Sequence, residues 1–405
     1  MNRQLHNMKS KIIRLSFFIL ILQQMPVNAQ DKRVQYPFLL SGSYFGVSIG
    51  YINYPFSNLH MEPGYQAESI HIPHTGVRII LFGHEFNKYL SAQISYMRPV
   101  DWVAYKNVNG DRSSHSVWMN VAGLTLKSKL PIKQKFSVYA EGGLGIITRN
   151  GFEIDQVFVV KDANYATILT GAGLQYHLNK KWEFMLNMAW SPANEKEKQP
   201  STIFYSAGFN FKMHPLPPEK VEKNSKAGFI FPENLIQFGY ATNVLGYGVN
   251  HFFADGAIPV FWGGSVEVER GFTLHYQRNV FHARKVFSLD WGASIAYWKT
   301  NKNKNEFYTI SAFPLFRFTF LRTKPADLYF YYSVAGPTFI SKHVIDSIDI
   351  GKRFTFQDLM GMGVFTGRNR NLNAEIKIGH YSNGNIYPIN KGIKIPLTFC
   401  VGYTF

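Results

Sequence analysis

Read in steps of two, residues 371–383 (NLNAEIKIGHYSN) separate into two rows. Leu372, Ala374, Ile376 and Ile378 form an apolar row; Asn371, Asn373, Glu375, Lys377 and Gly379 form a mostly polar one. That is the alternation of a membrane-spanning β-strand, with one face to lipid and one to a polar lumen. Similar runs fill the chain. About eight lie near 43–54, 76–83, 88–98, 116–128, 135–148, 164–178, 181–191 and 202–212. About eight more lie near 234–248, 258–278, 285–299, 306–321, 327–340, 353–366, 371–383 and 393–405. Trp182, Phe184, Leu186, Met188 and Trp190 share one face, with an aromatic at each end. Leu289, Trp291, Ala293, Ile295 and Tyr297 make another such face, and Ile393 to Phe405 a third that closes on an aromatic. Aromatic belts around an aliphatic middle are what membrane strands require.

Residues 213–226 (MHPLPPEKVEKNSK), with three prolines and a run of charges, break this alternation. The expected fold is therefore all-β: two tandem eight-stranded antiparallel transmembrane β-barrels following a signal peptide. A single sixteen-stranded porin is the rival architecture. The expected divisions are a signal peptide at 1–29, a first barrel at 30–212, a Pro-rich periplasmic linker at 213–226 and a second barrel at 227–405.

The signal peptide is read from Arg3, Lys9, Lys11 and Arg14, the apolar run Leu15–Leu22, and the small-residue site Val27-Asn28-Ala29. No later stretch approaches the ~20 apolar residues of a helical span. The expected address is the outer membrane of a Gram-negative cell. The formal charge is +17, and removing the four signal-peptide cations leaves +13. No basic helix, zinc-finger spacing or run of cations interleaved with aromatics accompanies it, so nucleic acid is not an expected partner. Phosphorylated lipid or lipopolysaccharide suits a secreted basic barrel better. The one cysteine, Cys400, falls on the lumen row of the last strand and reads as a packed thiol.

The apolar row of 372–378 ends in His380 and Ser382. A base and a hydroxyl two residues apart on the lipid-facing row serve no structural purpose, whereas an enzyme acting on a lipid ester needs both. Ester cleavage requires an activated hydroxyl, a base within reach and donors for the oxyanion. An eight-stranded barrel starts and ends on the periplasmic side, so its seventh strand finishes at the outer leaflet, where lipid A carries its acyl chains. His380 and Ser382 are expected to project outward, with Tyr381 and Asn383 on the other parity. Asn383 and the loop 384–392 could supply donors to the oxyanion.

His380-Tyr381-Ser382-Asn383 resembles the His-x-Ser-Asn motif of the PagL-type lipid A 3-O-deacylases. Asn390-Lys391-Gly392 resembles the family's downstream Asn-x-Gly, and 356–363 (FQDLMGMG) resembles its preceding strand. The resemblance covers about residues 228–405. It implies a serine esterase acting on lipid A at the 3-O position, with Ser382 as nucleophile, His380 as general base, and Asn383 and Asn390 around the oxyanion or substrate. The first half resembles a small OmpA/OmpX-type barrel in architecture alone.

One departure stands out. The family carries a glutamate where this chain has Lys394, and a lysine cannot accept an imidazole N–H. Glu375 has lumen parity, and nothing in the sequence brings Asp358 near. The alternatives are another acceptor, a Ser–His dyad or lost activity. With a dyad, Lys394→Glu is expected to raise the rate.

The rival reading is a non-catalytic barrel for adhesion, structure or porin-like diffusion; palmitoyl transfer onto lipid A is a third. No cofactor is expected. His60, His71 and His74 share one loop but read as scattered loop histidines, so no metal site is expected. Asp101, Glu141 and Asp290 read as lumen charges. Monomer and homodimer are both left open.

Overall fold

The computed structural model describes residues 32–254 and 263–405. The expected signal peptide, and the start of the run expected at 258–278, lie outside the described residues. Sixteen long strands alternate as the sequence reading expects. The first eight are β1 (Ser43–Asn53), β2 (Thr75–Glu85), β3 (Leu90–Pro99), β4 (Asp111–Lys133), β5 (Phe136–Asn150), β6 (Ala163–His177), β7 (Trp182–Ser191) and β8 (Thr202–Lys212). Each pairs antiparallel with its neighbour, and β1 pairs with β8 to close the first barrel. The second eight are β9 (Asn234–Thr242), β10 (Val266–His282), β11 (Phe287–Thr300), β12 (Glu306–Arg322), β13 (Ala326–Ile340), β14 (Phe354–Thr366), β15 (Leu372–Ser382) and β16 (Ile393–Thr404). These close through β9 and β16. Two closed barrels thus replace the sixteen-stranded alternative.

Residues between the barrels include helix α1 (Pro218–Ser225). At this end Arg33 Nη1 donates to Phe231 O at 3.2 Å, and the Tyr36 and Phe281 rings lie 4.7 Å apart. The turns here are short, as at 178–181 and 367–371, while the opposite end carries the long connections 243–265, 341–353 and 383–392. Short periplasmic turns and longer outer loops orient a barrel of this kind. The expected strand 234–248 stops at Thr242; helix α2 (Gly248–Ala254) follows.

The lumens are packed. In the first, Arg78 Nη1 meets Glu141 Oε1 at 2.6 Å, and Thr125 and Gln93 also donate to Glu141. A cavity of about 20 Å³ remains beside Arg78, Gln93 and Lys127, room for one water. In the second, Arg317 pairs with Asp290, and Glu375 accepts from Tyr329, Tyr331 and Gln237 at 2.8, 2.8 and 3.1 Å. Side chains filling eight-stranded lumens leave no wide aqueous pore. Cys400 is buried. Asp101, read as a lumen charge, is instead exposed: it lies just past the end of β3 and accepts the Trp102 N–H at 2.8 Å. The outer mouth of the first barrel is capped by an apolar cluster that includes Tyr54, Phe56, Met61, Tyr105 and Val160.

Outward faces are apolar. Leu124, Leu144, Ile168, Phe272, Ile295, Ile310, Ile376 and Val401 are all exposed. Among the described residues no helix is long and apolar enough to cross a membrane; strands do the crossing.

Candidate active site

The hairpin β14–β15 turns through Gly367–Asn371, where Gly367 and Arg370 take φ of +86° and +59°. Its antiparallel register sets Asp358 opposite His380 and Phe356 opposite Ser382. Tyr381 points into the lumen, where its hydroxyl accepts from Gln357 Nε2 at 2.9 Å. By strand alternation His380 and Ser382 share the outward row with Ile376, and Asp358 takes the outward parity of β14.

Asp358 Oδ2 stands 3.5 Å from His380 Nδ1. That is long for a hydrogen bond, but catalytic bonds are often long in the unliganded enzyme and tighten with substrate. The other oxygen, Oδ1, accepts the Ala335 N–H at 2.7 Å. That N–H is available because the β13–β14 register slips between Ser333 and Gly336, with Ala335 at φ +54°. The irregularity fixes the carboxylate from behind and leaves Oδ2 for the imidazole.

On the far side of the ring, His380 Nε2 donates to Gly263 O at 2.6 Å. A carbonyl only accepts, so Nε2 carries the proton in this arrangement. Gly392 presses against the same nitrogen: a Cβ there would lie 3.1 Å from Nε2 and 2.8 Å from Gly263 O, and its φ is +63°. Both facts require glycine, the last residue of the Asn390-Lys391-Gly392 motif. His380 is consequently only 2% exposed. The expected lipid-facing histidine is covered because Gly263, just before β10, lies over the outer end of β15.

Ser382 is half-buried at the end of β15, one same-face step, roughly 7 Å between α-carbons, beyond His380. Asn383 is buried; its N–H donates to Asn390 Oδ1 at 2.9 Å and its Nδ2 to Ile389 O at 2.6 Å. Asn390 Nδ2 in turn donates to Asn385 Oδ1 at 2.8 Å. The two asparagines thus brace the loop 383–392, and Ser382 emerges from its base.

Lys394 lies opposite His380 in the β15–β16 register, yet its ammonium turns away. Strand β9 is short, so above it β10 and β16 pair directly, in parallel, with Glu267 beside Lys394. Lys394 Nζ meets Glu267 Oε1 at 2.9 Å and His251 Nε2 at 3.3 Å. A carboxylate does stand beside His380 on the neighbouring strand, at Asp358. The sequence reading missed it, although a hairpin folding about Asn369 places residue 358 across from 380.

The loop histidines do not converge: His60 Nδ1 accepts the Ser57 N–H at 2.8 Å, and His74 Nδ1 bonds Ile52 O at 2.9 Å. Among the described residues no group of three or more His, Cys, Asp or Glu is placed to hold a metal.

No curated protein matches the chain. Among solved structures, the outer-membrane enzyme PagL is similar at 15% identity over 42% of this chain and 99% of its own, with a TM-score of 0.31. The N-terminal β-barrel domain of Pseudomonas aeruginosa OprF is similar at 14% identity over 43% and 98%, TM-score 0.28. Ail, the attachment invasion locus protein of Yersinia pestis, is similar at 14% identity over 43% and 99%, TM-score 0.28. At these values the likenesses carry no argument. The family models are more informative: residues 42–214 match the OmpA-like transmembrane domain and residues 270–403 match lipid A 3-O-deacylase (PagL), so the chain is an outer-membrane protein that joins an OmpA-like barrel to a lipid A deacylase-like barrel.

Proposed function

We propose that the second barrel is a serine esterase that removes an ester-linked acyl chain, at the 3-O position, from lipid A in the outer leaflet. Ser382 is the nucleophile, His380 the general base and Asp358 the acid that orients it. The observation that carries this reading is the alignment of Asp358, His380 and Ser382 along one outward row at the long-loop end of the barrel.

The chemistry follows from that alignment. His380 Nε2 releases Gly263 O, the imidazole proton shifts to Nδ1, where Asp358 accepts it, and the freed Nε2 takes the proton of Ser382 as Oγ attacks the ester carbonyl. The Asp358 carboxylate stabilises the imidazolium that forms. The tetrahedral oxyanion draws on N–H donors of the loop that Asn383 and Asn390 hold in shape. Collapse expels the sugar hydroxyl, which leaves with the proton from His380. Water, activated by the same base, then frees the fatty acid from Ser382. The reaction needs no cofactor, and the lipid reaches the site from the side of the barrel.

The test is mass spectrometry of lipid A from outer membranes with and without the chain. Expression should remove one hydroxyacyl chain from lipid A and release it as free fatty acid, and Ser382→Ala should abolish both. A lipid A that gains an acyl chain would indicate transfer instead. An unchanged lipid A with properly inserted protein would leave the non-catalytic barrel as the reading.

A further inference from the structure

Three polar side chains on the first barrel sit where lipid-facing residues belong. Asn120 on β4, Thr148 on β5 and Asn164 on β6 are cross-strand neighbours: Asn120 pairs with Thr148, and Thr148 with Asn164. Their even numbers put them on the outward row of Leu124, Leu144, Ile146 and Ile168, all of which are exposed, and not on the lumen row of Thr125 and Glu141. Hydrocarbon would leave such groups unsatisfied. Yet Asn120 and Thr148 are buried, at 1% and 0% exposure.

What covers them is the loop that follows Ser382. Asn120 Nδ2 donates to Asn385 O at 2.7 Å. Thr148 Oγ1 and Asn164 Nδ2 both donate to Ile386 O, at 3.0 and 2.7 Å, and Asn164 Nδ2 also meets Thr148 Oγ1 at 2.8 Å. The loop turns sharply there, with Gly384 and Asn385 at φ of +61° and +59°. Asn385 is tied to Asn390, and Asn390 to the Asn383 N–H next to Ser382. A continuous path of hydrogen bonds therefore runs from the wall of the first barrel to the residue beside the serine.

We infer that the outer wall of the first barrel is a docking surface for the active-site loop of the second, and that Asn120, Thr148 and Asn164 are positioning residues for it. The OmpA-like barrel clamps the backbone whose donors surround the reacting ester. Only the activity arm of this inference rests on the esterase reading.

The experiment uses the full chain in outer-membrane vesicles containing lipopolysaccharide. Asn120→Leu, Thr148→Val and Asn164→Leu together turn the polar row into an ordinary lipid-facing surface, which the barrel should tolerate. Heat-modifiable mobility on a gel checks that both barrels are folded. Thermolysin cleavage of the Asn385–Ile386 bond is expected to accelerate about tenfold or more, since the lost bonds each shift the loop equilibrium severalfold. Deacylation should lose kcat by about the same factor with KM little changed. Thr148→Ser, which keeps the hydroxyl, should behave as wild type in both assays. Unchanged cleavage of the triple variant overturns the docking surface. Faster cleavage with unchanged kcat overturns the positioning role. If the wild type itself does not deacylate, the esterase reading fails, and cleavage at Asn385–Ile386 alone decides the docking surface.

Discussion

Replacing Asp358 by asparagine keeps the shape of the side chain and removes its charge. Oδ2 lies 3.5 Å from His380 Nδ1. Two unit charges at that distance interact by roughly 5 kcal/mol at an effective dielectric of about 20. The Asp358 side chain is 17% exposed, and solvent at its edge screens the pair. Halving the figure leaves roughly 2 kcal/mol of transition-state stabilisation from the acid. At about 1.4 kcal/mol per factor of ten, the expected loss in kcat is about 30-fold or more. The amide can also present a donor to Nδ1 and favour the wrong tautomer, which adds to the loss. KM should hardly move, because Asp358 faces the histidine and not the lipid.

The assay is the initial rate of fatty-acid release from purified lipopolysaccharide in mixed micelles, with wild type, Asp358→Asn, Asp358→Ala and Ser382→Ala side by side. An Asp358→Asn rate within about twofold of wild type, with Ser382→Ala inactive, would refute the triad and return the mechanism to a dyad. A loss of rate accompanied by unfolding, read from gel mobility, would show that the carboxylate matters only for holding the Ala335 N–H.

Other outcomes follow from the same geometry. Lys394→Glu should lower the rate, because it sets a second acid beside Glu267 and breaks the ion pair that closes the outer rim; a faster enzyme in the same assay would show that position 394 can serve as the acid. Glu375→Ala should destabilise the second barrel by about 3–5 kcal/mol, since it strands Lys377, 3.2 Å away and buried; urea unfolding in lipid vesicles measures it. In the outer loops of the first barrel, hydrogen bonds from Lys161 and Lys198 hold the Glu62 carboxyl below its usual range. A depressed folded pKa contributes stability above the unfolded value, about 4.3, and that contribution is lost as pH falls through the folded value. Proteolysis of the outer loops should therefore quicken in acid in the wild type, while Glu62→Gln should be sensitive at neutral pH already.

The period of two carried most of the architecture. It marked thirteen of the sixteen strands to within two residues at each end, because a membrane barrel must alternate and must pair every strand. It failed where local chemistry outweighs pattern. Residues 243–248 continue an apolar rhythm, but Gly246 at φ +71° and the bond from the Tyr247 hydroxyl to Val268 O divert them into α2. Asp101 kept lumen parity on paper, but β3 ends at Pro99 and parity has no meaning past the last paired residue.

The site was half legible for a related reason. His380 and Ser382 lie on one strand, so one period sufficed to bring them together. Asp358 belongs to another strand, and its partnership depends on register, a property of the turn rather than of either strand. Gly367 and Arg370 at positive φ fix that turn, and once it is fixed every pair down the hairpin follows, Asp358 with His380 among them. The covering of His380 by Gly263, and of Asn120, Thr148 and Asn164 by Asn385 and Ile386, depends on contacts between segments more than a hundred residues apart. No periodicity encodes those contacts. What the sequence did carry was their anomaly: a polar row on a face that should be apolar, once beside the serine and once on the other barrel. In a membrane protein an unsatisfied polar group costs several kcal/mol. Each such row therefore demands an occupant, and here one row meets Gly263 at the foot of β10 while the other holds the loop beside Ser382.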